Sequence, residues 1–357
     1  MWIKTLQTHH FRNLTQMHVS FTKGIQVIYG GNAQGKTNLL EALYVAGYGR
    51  SYRSHRDVEL IQKDFADYRV AIDVQRGEVA SRYQTEYQMG SPKKRFLNNK
   101  PWRRDFEEEK LFHAVLFSPD DLRLVNGSPD RRRYYLDVEI GGHQTAYQYH
   151  LSQYKRALLQ RNMLLKENGS RDMIKLFEQG LVQHGQHLIG LRQELIEHLA
   201  PHVVSECSRL TKGQDQLILH YEPSTMHLEN DLAKAWEQDK RVKQTTIGPH
   251  RDDLRLLLNE QDARVYASQG QMRTISLSLK YAAFKYLEAR FSEKPVLFLD
   301  DVFSELDVSR KTQLLNTTDA EQIFITTADK RIVASDQAIW YRMEGGNFGR
   351  ESSINRF

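Results

Sequence analysis

A single cysteine, Cys207, in 357 residues leaves nothing to build an intramolecular disulfide or a cysteine-rich zinc or iron–sulfur site. No uncharged apolar run approaches the roughly 18–20 residues that span a bilayer. The opening Met1-Trp2-Ile3-Lys4 lacks a basic-then-apolar secretory pattern. The expectation is a cytoplasmic chain with no membrane segment. Internal repeats, low-complexity tracts and Gly/Ser linkers are also missing. Charge of one sign is scarce: 50 Lys and Arg face 45 Asp and Glu, a net of +5. A hydrophobic share of 40% with 27% charged residues excludes wholesale disorder. At about 100–200 residues per domain, the length suggests two or three lobes.

The small net charge conceals an asymmetry. Residues 1–135 hold 22 Lys and Arg against 15 Asp and Glu, whereas residues 136–357 hold 28 against 30. The surplus includes Lys93-Lys94-Arg95, Arg103-Arg104 and Arg131-Arg132-Arg133. Such clusters suit a phosphate-rich partner, or else form a solvated face.

Hydrophobic periodicity outlines the fold. Met17, Val19 and Phe21 alternate at period 2, and Ile25-Gln26-Val27-Ile28-Tyr29 reads as a buried strand. A helix is expected after Thr37, and a β-rich stretch over 68–118 with turn chemistry at Asn98-Asn99-Lys100-Pro101. Residues 131–210 read as helical, broken near Asn168-Gly169-Ser170. Strands return at 216–221, 253–258 and 296–299, with a helix after Gln271. The expected divisions are an α/β head in two pieces, 1–130 and 246–357, interrupted by a largely helical lobe at 131–245.

Gly30-Gly31-Asn32-Ala33-Gln34-Gly35-Lys36-Thr37 matches G-x-x-x-x-G-K-[ST] at every fixed position, with Asn38 next in the helix. Glycines let backbone N–H groups curl around phosphate oxygens, Lys36 neutralises β/γ charge, and the Thr37 hydroxyl can ligate Mg²⁺. From average composition, a chance match in a chain this long is on the order of one in a hundred. The strand before the loop and the helix after it argue further for a nucleoside triphosphate site. About 260 residues later, Pro295-Val296-Leu297-Phe298-Leu299 ends in Asp300-Asp301. Asp300 can hold Mg²⁺, and Asp301 can polarise an attacking water as the catalytic carboxylate. One nucleotide site is thus expected from both chain ends. Ala267-Ser268-Gln269-Gly270-Gln271 heads a helical stretch, where a hydroxyl and backbone N–H groups can meet an anion or simply cap the helix. Ser304-Glu305-Leu306-Asp307 follows the second strand.

These four motifs, in this order, resemble the ABC-type ATPase heads of SMC-like DNA repair and chromosome proteins. Further segments resemble the bacterial RecF family. They are Gly49-Arg50-Ser51-Tyr52-Arg53, the stretch 119–137 with its core Gly127-Ser128-Pro129-Asp130-Arg131-Arg132-Arg133-Tyr134-Tyr135, Gly248-Pro249-His250-Arg251-Asp252-Asp253-Leu254, and Asp300-Asp301-Val302-Phe303. The resemblance covers essentially the whole chain. It implies an α/β fold: a P-loop ABC-type head assembled from both chain ends, joined to a second lobe with a short helical arm. It implies ATP and Mg²⁺ as cofactors and an ATP-dependent homodimer. In that dimer Ser268, Gln269, Gly270 and Gln271 act in trans on the partner's Walker loop, beside the D-loop residues Ser304 and Asp307. It also implies slow, DNA-stimulated hydrolysis, binding to single-stranded DNA and gap junctions, cooperation with RecR and RecO, and RecA loading in replication, repair and the SOS response. Arg12, in Phe11-Arg12-Asn13, matches by position an arginine that approaches the nucleotide.

Three departures bear on chemistry. Ala267 and Gln269 stand where transporter signatures carry Leu and Gly. Asp301 replaces the usual Glu, one methylene shorter, which suits slow turnover. No histidine follows His250, so no switch histidine is present, and Thr327 is the candidate γ-phosphate sensor. A transporter ATPase subunit, or an ATP-gated DNA clamp without useful turnover, are the alternative functions. Tyr134-Tyr135 can stack bases or pack inward. Fourteen histidines, including His9-His10, His184 and His187, show no H-E-x-x-H and no carboxylate cluster at ligand spacing, so nucleotide Mg²⁺ is the one metal expected.

Overall fold

The computed structural model describes residues 1–14, 16–102, 108, 111–305, 311, 319–330 and 338–350. Two compact units emerge. The first comprises Met1–Arg103, Phe112–Pro119 and Leu287–Phe357; the second comprises Arg104–Leu111 and Asp120–Tyr286.

The first unit holds two six-stranded sheets. One is antiparallel, in the order Met17–Ser20, Trp2–His9, Asp67–Arg76, Val79–Gln88, Lys94–Leu97, Lys100–Pro101. The other runs Asn347–Arg350, Ile339–Glu344, Gly24–Tyr29, Gln322–Thr327, Val296–Asp300, Ala114–Phe117. Its last five strands are mutually parallel. Every residue of Gln322–Thr327, Val296–Asp300 and Ala114–Phe117 is buried, as a parallel sheet covered on both faces requires. The helix Lys36–Tyr48 packs against strands of both sheets. It buries nearly its whole circumference, including Leu39, Leu40, Leu43 and Tyr44, which is the signature of a core helix. Gly24–Tyr29 pairs with Gln322–Thr327, so the two chain ends share one sheet as expected. Gln322 reinforces this: its amide accepts from Ile3 N at 2.7 Å and donates to Ile3 O at 3.0 Å.

The second unit contains the helices Thr145–Lys166 and Arg171–Thr211, packed along each other. The break falls at 168–170, where Asn168 takes φ 53 and Ser170 Oγ caps the second helix by accepting from Met173 N. Tyr147, Tyr154, Leu181, Leu188, Leu228 and Leu232 form its apolar core. Leu217–Glu222, Asp253–Leu258 and Gln261–Asp262 make an antiparallel sheet. The pairing of Asp253–Leu258 with Leu217–Glu222 crosses the expected boundary at 245/246, so residues 246–286 belong here and not with the head. The boundary at 130/131 moves too. Lys280 Nζ lies 2.9 Å from Asp121 Oδ1, and Ser276 Oγ donates to Asp121 O at 2.9 Å, which draws 120–130 into this unit.

Among the described residues of the second unit three arginines are buried, and they account for two segments that the sequence leaves open. Arg132 is bidentate to Asp253 at 2.7 and 2.9 Å. Arg192, 1% exposed, reaches Asp137 at 2.7 Å, Asp252 at 2.8 Å and Pro249 O at 2.7 Å. Arg161 reaches Asp239 at 2.7 Å and Glu178 at 2.9 Å. Arg133 donates to Asp252 O at 2.6 Å. Tyr135 is fully buried and donates to Leu279 O, which removes it as a base-stacking surface. Cys207 is buried, its thiol pushed up to about 11 by burial, and serves as a core residue. Removing one member of a buried, hydrogen-bonded ion pair leaves an uncompensated charge and costs about 3–5 kcal/mol. Arg192→Met is therefore expected to lower the unfolding free energy by roughly that amount. A urea midpoint unchanged from the parent would show that Asp137 and Asp252 do not depend on Arg192.

Candidate nucleoside triphosphate site

The parallel strands of the first unit end together, and their C-terminal ends carry the motifs, the usual place for a ligand in such sheets. Gly24–Tyr29 leads into Gly30, Val296–Asp300 ends at the carboxylate pair, and Gln322–Thr327 ends at Thr326 and Thr327.

Gly30 and Gly35 are required by the fold as well as by any phosphate. A Cβ at Gly30 would stand 2.2 Å from the Met343 carbonyl oxygen, and one at Gly35 (φ 111) would stand 2.9 Å from Asn13 Oδ1. Ala33 takes φ 62 between them. Gln34 ties the loop to the turn between Ile339–Glu344 and Asn347–Arg350: its Oε1 accepts from Gly345 N at 2.6 Å and its carbonyl accepts from Gly346 N at 3.0 Å. Asn32 O accepts from Gln34 Nε2 at 3.4 Å, while a Cβ added at Gly31 would meet the Gln34 side chain at an ordinary 3.7 Å. Lys36, 8% exposed, donates to Gly30 O at 2.8 Å and Gly31 O at 2.7 Å. Burial lowers its pKa, and Asp301 and Asp300 oppose that shift. A partly desolvated cation folded onto its own loop is well placed to exchange two carbonyl partners for phosphate oxygens.

Asp300 is the meeting point. It is 5% exposed and accepts from Thr37 Oγ1 at 2.8 Å, Thr326 Oγ1 at 2.8 Å and the Tyr52 hydroxyl at 2.9 Å. Burial, then the Asp300 and Glu41 carboxylates, push the Tyr52 phenol well above its ordinary value, so it remains a donor. Thr326 Oγ1 also accepts from Asp301 N at 2.9 Å, which pins Asp301 in a left-handed backbone, φ 52. Thr37 and Asp300 together offer hard oxygen donors 2.8 Å apart, a set that fits Mg²⁺. Ser304 Oγ donates to Asp301 O at 2.7 Å; Asp307 lies outside the described residues. Thr327 closes a turn, donating to Asp329 O and accepting from Asp329 N, both at 3.1 Å. Of the two threonines, it is Thr326 that touches the carboxylate site.

Arg12 clasps Glu41 with two bonds of 2.9 Å and donates to Glu59 O at 2.7 Å. Its guanidinium thus braces the helix that follows the loop. Glu41, fully buried, also accepts from Ser51 at 2.5 Å and Arg53 at 3.2 Å, and Arg53 donates to Asn38 Oδ1 at 2.7 Å. Asn38 in turn donates to Asn13 Oδ1 at 2.7 Å. Tyr52, Glu41 and Thr326 were not assigned from sequence. Tyr52 stood in a segment already singled out, but nothing local tells that its hydroxyl reaches Asp300.

The signature segment lies in the second unit. Ser268 and Gln271 cap the helix Gln269–Phe291 reciprocally: Ser268 N donates to Gln271 Oε1 at 3.0 Å, and Gln271 N donates to Ser268 Oγ at 3.3 Å. Gln271 Nε2 donates to Asp215 Oδ1 at 3.2 Å, Gly270 O accepts from Thr274 at 3.1 Å, and Gln269 is exposed. Just before it, Val265 and Tyr266 are 68% and 66% exposed. Of the basic clusters, Lys93 pairs with Asp57 at 2.8 Å. Arg95 lies over the Trp102 ring at 4.0 Å and is lowered to about 10 by burial. Lys94 is the exposed member. Arg103 and Arg104 lie outside the described residues.

The family described as the RecF/RecN/SMC N terminal domain matches residues 2–345. The chain is 38% identical to the DNA replication and repair protein RecF of Bacillus cytotoxicus, over 92% of each chain. It is 36% identical to the RecF of Agathobacter rectalis, over 91% of this chain and 92% of that one. A solved structure of the recombination mediator protein RecF with ATP, of the RecFOR pathway, superposes with TM-score 0.89 at 32% identity, over 98% of both chains. An Smc head bound to the C-terminal winged-helix domain of ScpA matches at TM-score 0.56 and 16% identity, over 99% of this chain and 98% of that one, a likeness of fold alone.

A hydrogen bond to a charged partner is worth about 1.5–3 kcal/mol. Thr326→Val removes one such donor from Asp300 and the acceptor of Asp301 N, so a stability loss of roughly 2–3 kcal/mol is expected in urea unfolding. Tyr52→Phe, which removes a single donor, should lose less. An unperturbed Thr326→Val midpoint would mean that Asp300 does not tie the strand ends together.

Proposed function

This chain belongs to the RecF family of DNA replication and repair proteins, and from that premise we propose that it is a slowly hydrolysing ATPase whose ATP-bound form is a DNA-binding homodimer. The observation that supports this most is the convergence of Lys36, Thr37, Asp300 and Asp301 at the ends of three adjacent parallel strands. A second supports the dimer: the signature cap at Ser268 is exposed, and the exposed apolar residues Val265 and Tyr266 precede it.

In this reading the backbone N–H groups of residues 30–38 and the Lys36 ammonium bind the phosphates. Bound Mg²⁺ supplies charge neutralisation on the β- and γ-phosphates. Thr37 and Asp300 hold it, and Tyr52 and Thr326 fix the Asp300 carboxylate. Asp301, with its backbone tethered to Thr326, orients the attacking water and takes its proton. A carboxylate one methylene shorter than Glu reaches that water less well, which suits slow turnover in a protein that uses ATP to hold a conformation. Ser268 Oγ, Gly270 and Gln271 meet the γ-phosphate of the partner's nucleotide. Ser304 and Asp307 line the same junction as the D-loop.

The proposed substrates and partners follow the family: single-stranded DNA and gap junctions, RecR and RecO, and RecA as the protein loaded in replication, repair and the SOS response. Location on the nucleoid in the cytoplasm belongs to the same reading; no described helix is long and apolar enough to cross a membrane. Family membership sets the transporter subunit aside, and a clamp without useful turnover is an outcome of the test below.

Mixed dimers test the shared site. Lys36→Met lacks the cation of the Walker loop. Ser268→Arg blocks the signature and also removes a helix cap worth about 1 kcal/mol, too little to unfold the unit. Each variant alone is expected to be inactive, and the mixture to regain part of the DNA-stimulated ATPase through one intact site per mixed dimer. Normal hydrolysis by Ser268→Arg alone would exclude the signature role. Binding of ATP with no phosphate release by the parent protein, with or without gapped DNA, would select the clamp.

A further inference from the structure

His9 and His10 have no carboxylate near them in sequence, and strand alternation would send their rings to opposite faces. The fold cancels both effects. Trp2–His9 ends at His9, and His10 takes a left-handed backbone, φ 51, that brings its ring to 3.6 Å from that of His9 between centroids. The antiparallel neighbour Asp67–Arg76 begins alongside, pairing Arg69 with His9, and so delivers the Asp67 carboxylate. One ligand atom from each of the three residues lies within 4.8 Å of the other two. His10 Nδ1 and Asp67 Oδ1 are 3.1 Å apart. Neighbouring ligand atoms on a tetrahedral ion with bonds near 2.0–2.1 Å are about 3.3 Å apart. Phe65 stacks on His10 at 3.7 Å and sets the ring plane, while His10 O accepts from Gln62 N at 2.7 Å and sets its backbone. All three candidate ligands are half-buried, shielded yet reachable from solvent.

We propose that His9, His10 and Asp67 bind a divalent transition ion of the zinc class, with solvent completing the coordination. Two imidazoles and one carboxylate suit zinc over Mg²⁺ or Ca²⁺, which prefer oxygen throughout. On binding, any proton held between His10 Nδ1 and Asp67 leaves to solvent, and the two rings ligate as neutral imidazoles. A histidine–aspartate hydrogen bond alone would not need the His9 ring at the third corner. The ion would tie the end of one strand to the start of its neighbour just ahead of Arg12, the residue that clasps Glu41.

A second histidine group must be silenced for a clean test: His150 Nδ1 lies 3.1 Å from His184 Nδ1 on the helical pair. Zinc chloride is titrated by calorimetry into metal-free full-length His184→Ala protein without nucleotide, with the thermal midpoint recorded in parallel. One saturable site and a raised midpoint are expected. Adding Asp67→Asn, which keeps the side chain's shape, or His9→Asn should weaken that site by roughly tenfold or more. Circular dichroism identical to the parent in either variant shows that folding is intact. No saturable zinc in His184→Ala, or binding unmoved by both Asp67→Asn and His9→Asn, would overturn the proposal and leave a hydrogen-bonded histidine–aspartate pair.

Discussion

A buried carboxylate must be paid for with donors, and Asp300 receives three from three distant segments: Thr37, Thr326 and Tyr52. Left unpartnered, that charge would cost several kcal/mol (about 3–5, as for broken buried pairs). Its satisfaction therefore requires that the helix after the loop, the neighbouring strand end and the segment after the helix arrive together. This explains why a chain whose Walker loop and acidic strand are so far apart in sequence builds one sheet from both ends. The same contacts leave Asp301 tethered by its backbone next to the Lys36 cradle. Stability and the geometry needed for phosphate chemistry thus rest on the same oxygens.

The second unit is organised on a different principle. Its interior holds Arg132, Arg161 and Arg192, each paired with at least one carboxylate. Pro249, Asp252 and Asp253, from one of the segments that carry the family resemblance, are partners of Arg192 and Arg132. Arg132 ties a helix to the sheet through Asp253, Arg161 ties helix to helix through Glu178 and Asp239, and the planar guanidinium suits such multiply bonded buried pairs. The signature cap at Ser268 and Gln271 is carried by this unit, with Gln271 anchored to Asp215.

Local patterns were legible in the sequence and long-range ones were not. The loop 30–37, the buried strand Val296–Asp300 and the helix break at 168–170 follow from residue type and spacing alone. The expected division at 245/246 failed because strand pairing between Leu217–Glu222 and Asp253–Leu258 leaves no mark in either segment by itself. Arg131, Arg132 and Arg133 read alike in sequence, and only the arrival of Asp252 and Asp253 engages Arg132 and Arg133 while Arg131 stays exposed beside Asp120. Tyr52, Thr326 and the Asp67 that joins His9 and His10 escaped for the same reason: each acts on a partner that the chain brings from elsewhere.

The central claim is that the site gathered around Asp300 reads the γ-phosphate and converts it into association of two chains. Sedimentation velocity of the full chain with Mg²⁺ and ATP, with Mg²⁺ and ADP, and without nucleotide tests it directly. The account predicts a dimer boundary with ATP and a monomer boundary in the other two conditions. A distribution that is the same in all three would contradict it.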